Sequence, residues 1–197
     1  KAASIRNIPL IHISTDYVFG DNSKISLKEN DTTNPLGAYG LTKLKGEKEI
    51  EKNSSSFIII RTSWIFSRYG KNFVKKMIEL SKKNKVVKVV SDQIGGPTAA
   101  ADVANTCMIL ARQLKKKKDI KEIYHFAGFP YLSWADYARV IFEMIGSNTI
   151  VEDISSSEYS HGVVRPKNSR LDCSKIKNQF NIFQPNWKES LKKVLKE

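Results

Sequence analysis

Two runs of apolar, largely β-branched residues constrain the fold more than any other feature of this sequence. Residues 9–14 and 57–61 both have the composition of buried strands, and only His12 interrupts the first run. Between them lie a loop at 20–37, rich in Asp, Asn, Ser, Thr and Gly, and a helical stretch at 38–52. Strand, loop, helix and strand in that order predict a parallel α/β sheet with right-handed crossovers.

Shorter and more mixed elements follow, which predicts a second, smaller lobe beside the sheet. We divide the chain into residues 1–90, which hold the sheet, and residues 91–197, which form mainly the smaller mixed α/β lobe. A helix at 98–114, capped by Thr98, is expected to pack back on the sheet. The remaining predicted elements are strands at 86–90 and 123–127, and helices at 73–80, after the capping residue Ser133, and at 187–195.

The composition describes a folded protein with a strongly basic balance. The 197 residues are 41% hydrophobic and 27% charged, and the net charge is +13. A basic face can bind nucleic acid, but the 26 lysines and 7 arginines are scattered over helix faces, apart from one block at 115–118. No nucleic-acid-binding motif accompanies the charge, so we expect no nucleic-acid partner. The same charge suits an anionic small substrate such as a sugar nucleotide.

Cysteine, histidine and hydropathy patterns argue against several other classes of protein. Cys107 and Cys173 lack C-x-x-C spacing and are expected to be reduced thiols. The three histidines share no metal-ligand spacing, so no metal site is predicted. No apolar run approaches the about 18 to 20 residues that cross a bilayer, and residues 1–9 carry no signal-peptide pattern. We therefore expect no membrane partner and a cytoplasmic location.

Tyr39 and Lys43 form the first pair that suggests a reaction. They lie four positions apart in the predicted helix, so their side chains share one face. An ammonium held near a phenol favours the phenolate, which makes the tyrosine a better proton donor and acceptor near neutral pH. The spacing alone is weak evidence, because 7 tyrosines and 26 lysines in 197 residues produce about one such match by chance.

Thr15 adds weight to this pair because of its position. Ser14 and Thr15 end the first predicted strand, and ligands of α/β sheets bind at the carboxyl ends of strands. Thr15 is therefore expected to face the same crevice as Tyr39, where a hydroxyl can hydrogen-bond a carbonyl oxygen before hydride attack. A purely structural interpretation of these residues is equally open. In it, Ser14 and Thr15 only end a strand and the Lys43 side chain is solvated.

Six segments resemble, in chain order, the signatures of one known family. They are STDYVF at 14–19, PLGAYGLTK at 35–43 continuing into GEK at 46–48, RTSW at 61–64, NF at 72–73, DQIGGPT at 92–98 and RPKNSRL at 165–171. The family is that of the dTDP-4-dehydrorhamnose reductases, a branch of the extended short-chain dehydrogenase/reductases. The similarity covers nearly the whole chain, and it implies a Rossmann-like parallel sheet.

The resemblance implies a role for each residue of the Tyr39 site. Tyr39 is the implied general acid that protonates a 4-keto oxygen, and Lys43 tunes it and holds the nicotinamide ribose. Thr15 assists the proton transfer, and Ile13, Tyr39 and Lys43 are the implied cofactor-binding residues. The cofactor is NADPH or NADH. The implied reaction converts dTDP-4-dehydro-6-deoxy-L-mannose to dTDP-L-rhamnose for bacterial surface polysaccharide.

The resemblance also implies a set of substrate-binding residues. Trp64 matches a position that contacts the deoxyhexose nucleotide, although a core-edge aromatic is the alternative. Asn72 and Arg165 are implied partners of the pyrophosphate, and both can equally be solvated or structural residues. The full implied set is Thr15, Asp16, Trp64, Asn72 and Arg165, and the implied partner is a dTDP-sugar.

Two departures from related patterns matter. Sugar-nucleotide 4,6-dehydratases need an Asp-Glu pair after the threonine, and here Tyr17 follows Asp16, so we expect no dehydration. The family's glycine-rich strand-to-helix turn, which receives the cofactor pyrophosphate, is not formed by any of the ten glycines. We therefore expect the chain to lack the first strands of the sheet, to bind NADPH poorly and to be inactive alone.

Several questions stay open at this level. One alternative keeps the family but changes the substrate to another nucleotide-linked 4-keto sugar. Another is a non-catalytic regulatory subunit of the kind that partners methionine adenosyltransferase. The choice between NADPH and NADH depends on a residue near the ribose 2′ position that this sequence does not reveal. The oligomeric state, a homodimer included, is equally open.

Overall fold

The computed structural model describes residues 2–21, 26–116, 119–159 and 164–196, and strands and helices alternate along them. The first elements are α1 (Ala2–Ile5), β1 (Leu10–Thr15), a 3₁₀ turn (Asp16–Val18), α2 (Ala38–Asn53), β2 (Phe57–Thr62), β3 (Ile65–Phe66), α3 (Phe73–Ser81) and β4 (Val86–Val90). The later elements are β5 (Ile94–Gly95), β6 (Thr98–Ala99), α4 (Ala100–Lys116), β7 (Lys121–His125), β8 (Leu132–Ser133), α5 (Trp134–Met144), β9 (Ile150–Ile154), β10 (Asn168–Ser169), α6 (Ser174–Phe180) and α7 (Trp187–Lys196).

The main sheet consists of parallel strands in the order β1, β2, β7. Leu10 pairs with Phe57 and Thr15 with Thr62, so β1 and β2 end at the same level. All six residues of β2 are buried, as expected for a strand with neighbours on both sides. β1 is less covered than the sequence predicts, because it pairs with β2 alone among the described strands and Ile13 is 37% exposed. The predicted α/β fold with a parallel sheet is confirmed.

Smaller sheets complete the fold beyond the main one. β4 pairs with β9 and β3 with β6, both in parallel. β5 lies between β10, which is parallel to it, and β8, which is antiparallel. These smaller sheets therefore combine parallel and antiparallel pairs of strands.

Two clusters of buried side chains form the core of the described residues. α4 contributes Val103, Leu110 and Leu114 to the first cluster, which lies around the main sheet. The second lies between α3, α5 and α7 and includes Val74, Met77, Ile141, Trp187 and Leu191. Both clusters draw residues from either side of position 90, and the division of the chain at that position stays a prediction.

The beginnings of α4 and α5 test two predicted helix caps. Ser133 Oγ accepts the backbone N–H three residues later at 3.0 Å, which confirms it as the cap of α5. Thr98 does not cap α4, because it lies in β6 and the helix begins at Ala100. Its hydroxyl instead donates to the Gly96 carbonyl at 3.0 Å and accepts the Gly128 N–H at 3.1 Å. Thr98 is thus part of the pairing between β6 and β3, and it is not the residue that caps α4.

Other predictions concern membranes, metals and residues outside the described ranges. Among the described residues, no helix combines the length and the apolar character needed to cross a membrane. The same residues contain no group of three or more His, Cys, Asp or Glu side chains arranged to hold a metal ion. His161 and the last two lysines of the block at 115–118 lie outside the described residues.

Candidate active site

The carboxyl end of β1 is a buried polar turn. Thr15 is the last residue of β1, and its hydroxyl donates a hydrogen bond to Asp16 Oδ1 at 3.0 Å. The same hydroxyl oxygen accepts the backbone N–H of Tyr17 at 3.2 Å, which caps the 3₁₀ turn. Thr15 Oγ1 is therefore held at the strand end, which is where α/β sheets bind their ligands.

Asp16 is an almost fully buried carboxyl group beside Thr15. Only 2% of the residue is exposed, and its Oδ2 atom has no hydrogen-bond partner among the described residues. Burial raises the pKa of Asp16 from 3.8 to about 6, against the opposing effect of side-chain hydrogen bonds from Ser169 and Thr15. The carboxyl group can therefore exchange a proton close to neutral pH, and Oδ2 can accept a further hydrogen bond.

Tyr39 projects from the first turn of α2 and remains accessible. The residue is 58% exposed, and its ring meets the ring of Tyr17 edge-on, with centroids 5.6 Å apart and an interplanar angle of 80°. Tyr17 lies in the turn that follows Thr15. The predicted phenol and the predicted strand-end hydroxyl therefore belong to the same region of the protein.

Gly40 explains how α2 approaches this turn so closely. A Cβ atom at Gly40 would lie 2.1 Å from the backbone carbonyl oxygen of Tyr17, a distance that no real Cβ atom adopts. Gly40 is buried, although the tyrosine before it is exposed. The glycine in the Ala-Tyr-Gly segment therefore permits the close contact that brings Tyr39 to the end of β1.

Lys43 is the next residue along the same helix face. Its ammonium donates a hydrogen bond to the backbone carbonyl of Ile13 at 2.6 Å. Ile13 lies two residues before Thr15 in β1, so the bond ties α2 to the end of the strand. The structure thus brings Ile13, Thr15, Tyr39 and Lys43 together at one strand end.

A buried ion pair, which the sequence analysis missed, fixes α2 against β2. Arg61 and Glu47 have side chains only 3% and 1% exposed, and Arg61 Nη2 lies 2.6 Å from Glu47 Oε2. A second bond joins Arg61 Nε to Glu47 Oε1 at 3.0 Å, so the pair is bidentate. Arg61 Nη1 also donates to the Glu29 carbonyl, and the guanidinium lies over the Phe19 ring. The sequence hinted at this ion pair only through Arg61, a charged residue at the end of an apolar strand.

Trp64 lies just beyond the carboxyl end of β2 in an unusual conformation. Its φ of 50° places it in the left-handed region, which costs a residue with a side chain about 1 to 2 kcal/mol. Its indole stacks on that of Trp134, with ring centroids 3.5 Å apart and planes within 9°. Trp64 is partly exposed, and its packing on Trp134 also fits the core-edge aromatic that the sequence left as an alternative.

Asn72 and Arg165 differ in how they relate to the Tyr39 site at the end of β1. The Asn72 amide caps α3, since Oδ1 accepts the Lys75 N–H at 3.2 Å and Nδ2 donates to the Ser67 carbonyl at 2.6 Å. These contacts match the structural alternative that the sequence left open. Arg165 hydrogen-bonds the Tyr17 side chain, whose pKa is raised to about 12 by burial and by the Asp16 charge, with Arg165 opposing the shift. Arg165 therefore lies beside the Tyr39 site.

The chain is similar over its whole length to one family of proteins. Residues 1–197 match the family described as the RmlD substrate binding domain. A dTDP-4-dehydrorhamnose reductase from Sinorhizobium fredii is 41% identical over 201 residues, which cover 99% of this chain and 68% of that protein. A protein of the same name from Aggregatibacter actinomycetemcomitans is 39% identical, with 98% of this chain and 68% of that protein covered.

Solved structures show the same similarity at the level of the fold. A dTDP-4-dehydrorhamnose reductase from Clostridium acetobutylicum superposes with a TM-score of 0.91 at 34% identity, covering 99% of this chain and 68% of that chain. The enzyme of that name from Bacillus anthracis, solved in complex with NADP, gives a TM-score of 0.90 at 32% identity, with 98% and 67% covered. Sequence and structure agree, and the chain belongs to the dTDP-4-dehydrorhamnose reductase family.

Proposed function

We propose that this protein reduces the 4-keto group of dTDP-4-dehydrorhamnose to give dTDP-L-rhamnose, with NADPH as the hydride donor. The proposal depends most on one contact, the hydrogen bond of 2.6 Å from Lys43 Nζ to the Ile13 carbonyl. This bond joins the helix that carries Tyr39 to the strand that ends at Thr15. The names of the relatives and the NADP complex of one of them support the same reaction.

The residues at this strand end fit the nicotinamide half of the cofactor. A phenol and an ammonium can both donate to ribose hydroxyls, and Ile13, which is 37% exposed, offers an apolar contact beside them. We assign the nicotinamide ribose to Ile13, Tyr39 and Lys43. When bound, the cofactor supplies the hydride. The sequence has no glycine-rich turn for the pyrophosphate, so no residue is assigned to that part of the cofactor.

Tyr39 is proposed to protonate the 4-keto oxygen. Hydride addition to the carbonyl carbon leaves negative charge on that oxygen, so a donor must stand beside it. Tyr39 is exposed enough to meet a ligand, while the Tyr17 ring limits its movement. Lys43 is proposed to stabilise the phenolate that remains after proton transfer.

Thr15 is proposed to hydrogen-bond the same substrate oxygen. Its single hydroxyl proton is directed at Asp16 Oδ1 at 3.0 Å, and it can serve only one acceptor at a time. Burial raises the pKa of Asp16 to about 6, and protonation removes the negative charge that strengthens the hydrogen bond from Thr15. Thr15 can then turn its proton to the substrate.

The sugar and the pyrophosphate are assigned to residues near the carboxyl ends of β1 and β2. Trp64 is proposed to pack against the deoxyhexose, and Asp16 Oδ2, which has no hydrogen-bond partner within the described part of the chain, to accept a sugar hydroxyl. Arg165 is proposed to pair with the pyrophosphate, because a guanidinium matches phosphate geometry. Asn72 is the least supported assignment, since its amide already caps α3.

Turnover by the full-length protein tests the proposal. NADPH and dTDP-4-dehydrorhamnose are added, and the loss of the nicotinamide absorbance band is followed. Tyr39→Phe should abolish turnover while leaving the circular dichroism spectrum unchanged. Tyr69→Phe removes the hydroxyl of an exposed tyrosine outside the site and should react like the unsubstituted protein. Retained turnover in Tyr39→Phe would refute the role of the phenol.

Two further measurements separate the alternatives. A panel of nucleotide-linked 4-keto sugars shows whether dTDP-4-dehydrorhamnose has the highest kcat/KM, and a higher value for another sugar would change the substrate. No turnover with any of them, by a folded full-length protein, would favour a non-catalytic regulatory subunit. Isothermal titration of the 197-residue chain with NADPH tests whether it binds the cofactor poorly, as the sequence predicts.

A further inference from the structure

The conformation of Trp64 is set by a part of the chain that is distant in sequence. With φ at 50°, the residue holds a backbone conformation that few side chains adopt unless the surroundings impose it. Its backbone carbonyl accepts the Thr98 N–H at 3.2 Å, and its indole lies 3.5 Å from that of Trp134 and within 9° of parallel. The stack covers one face of the Trp64 indole, and Trp64 still remains partly exposed.

Trp134 is itself firmly placed. It is the first residue of α5, directly after Ser133, which caps that helix. Its ring also packs against Phe73 of α3, with centroids 4.5 Å apart, and against Tyr137 of α5 at 6.4 Å. Because α3 and α5 both belong to the second core cluster, the ring of Trp134 is a rigid surface.

Gly95 limits Trp64 from another side. A Cβ atom on Gly95 would lie 2.5 Å from Trp64 Cε2, 2.7 Å from Nε1 and 2.8 Å from Cζ2, so the indole rests against the backbone of β5. Gly95 pairs with Leu132 of β8, two residues before Trp134. Trp134 and Gly95 thus hold the Trp64 indole from neighbouring parts of one substructure, formed by β5, β8 and the start of α5.

We propose that Trp134 is a positioning residue for the substrate sugar, acting through the Trp64 indole that it holds in place. The inference rests on the proposed function, because the sugar in question is the deoxyhexose of the nucleotide substrate. A deoxyhexose presents C–H groups, including a methyl group, that pack on a flat indole. A fixed indole orients the 4-keto carbon before reaction, whereas a loose one allows several poses.

Removal of the flat ring tests the proposal in the full-length protein. Trp134→Leu should abolish the exciton couplet that two stacked indoles give in circular dichroism. It should also weaken binding of dTDP-L-rhamnose, measured by titration calorimetry, and lower kcat/KM by about tenfold. Trp134→Phe keeps a flat ring and should stay within about threefold of the unsubstituted protein. Trp134→Met, which retains much of the side-chain volume, replaces the leucine variant if that protein does not fold.

A matched control separates positioning from loss of stability. Phe142→Leu removes an aromatic ring from the same helix and the same core cluster, away from Trp64. It should lower the melting temperature without changing binding of dTDP-L-rhamnose. If Phe142→Leu weakens binding as much as Trp134→Leu, the effect is general loosening of the lobe and the proposal is wrong.

A double-mutant cycle decides whether Trp134 acts through Trp64. In a Trp64→Leu background, Trp134→Leu should cost no further affinity. A full additional loss there would mean that Trp134 contacts the sugar directly, which overturns the positioning role. If the unsubstituted protein binds and reduces the substrate but Trp134→Leu does so equally well, this inference alone fails. If the unsubstituted protein neither binds nor reduces it, the proposed function fails as well.

Discussion

Lys43 Nζ lies 2.6 Å from the backbone carbonyl oxygen of Ile13, so one side chain of α2 is fastened to the strand that ends at Thr15. Hydrogen bonds from a charged donor are stronger than neutral ones, and this one crosses from a helix to a strand end. The ammonium therefore has a defined position before any ligand arrives. A group that is already placed does not have to be ordered during the reaction.

Substitution of Lys43 should affect catalysis more than stability. Lys43→Met removes both the fastening to Ile13 and the charge proposed to stabilise the Tyr39 phenolate, so we expect kcat/KM to fall by about 100-fold. The melting temperature should change little, because Lys43 is only half-buried. Lys45→Met removes an exposed lysine of the same helix and should leave both quantities unchanged. Equal effects of the two variants would show that the position of the ammonium is unimportant.

The Arg61 and Glu47 pair should contribute strongly to stability. Glu47→Gln leaves the buried guanidinium without its charge partner, so the free energy of unfolding should fall by about 3 to 5 kcal/mol. Glu79→Gln breaks the exposed ion pairs with Lys83 and Lys76, where the loss should be much smaller. Urea denaturation of both variants measures the difference. Similar losses would mean that burial adds nothing to the pair.

The strand-end location of the site was predictable because it depends on short-range patterns. The spacing of Tyr39 and Lys43 places both on one helix face, and an apolar run that ends in Thr15 marks a strand end. Parallel strands direct such ends to one side of a sheet. Neither pattern required knowledge of the rest of the chain.

Contacts between distant segments were not predictable in the same way. No periodicity links Trp64 to Trp134, and their stacking depends on how α5 packs near the end of β2. The Glu47 and Arg61 pair is similar, since a charged residue in an amphipathic helix usually faces water. Thr98 was assigned wrongly because a favourable cap was weighed without the pairing of β6 with β3. Each miss involves tertiary packing overriding or adding to a local preference.

Asp16 should make stability depend on pH. Burial raises its pKa from 3.8 to about 6, so between these values the folded protein holds a proton that the unfolded chain releases. Its contribution to stability is therefore present at low pH and is lost as pH rises through about 6, by about 2 to 3 kcal/mol in total. Asp16→Asn cannot titrate, so its stability relative to the unsubstituted protein should improve by that amount from pH 4 to pH 7.

Denaturation by urea at several pH values measures this dependence. Asp119→Asn, which replaces an exposed carboxyl group, should follow the unsubstituted protein at each pH. A constant difference between Asp16→Asn and the unsubstituted protein across the range would mean that Asp16 is ionised in the folded state throughout.

Two glycines of α2 should respond in opposite directions to alanine. At Gly40 the new methyl group would meet the Tyr17 carbonyl at 2.1 Å, and α2 must move to relieve the clash, so stability should fall by about 1 to 3 kcal/mol. The movement displaces Tyr39 from the Tyr17 ring, and kcat/KM should fall too. At Gly46 nothing lies within 4 Å of the new methyl group, so the helix should gain about 0.5 to 1 kcal/mol. Urea denaturation and turnover of both variants measure the contrast. If Gly40→Ala were as stable and active as Gly46→Ala, the close approach of α2 to the turn after β1 could not be what places the phenol.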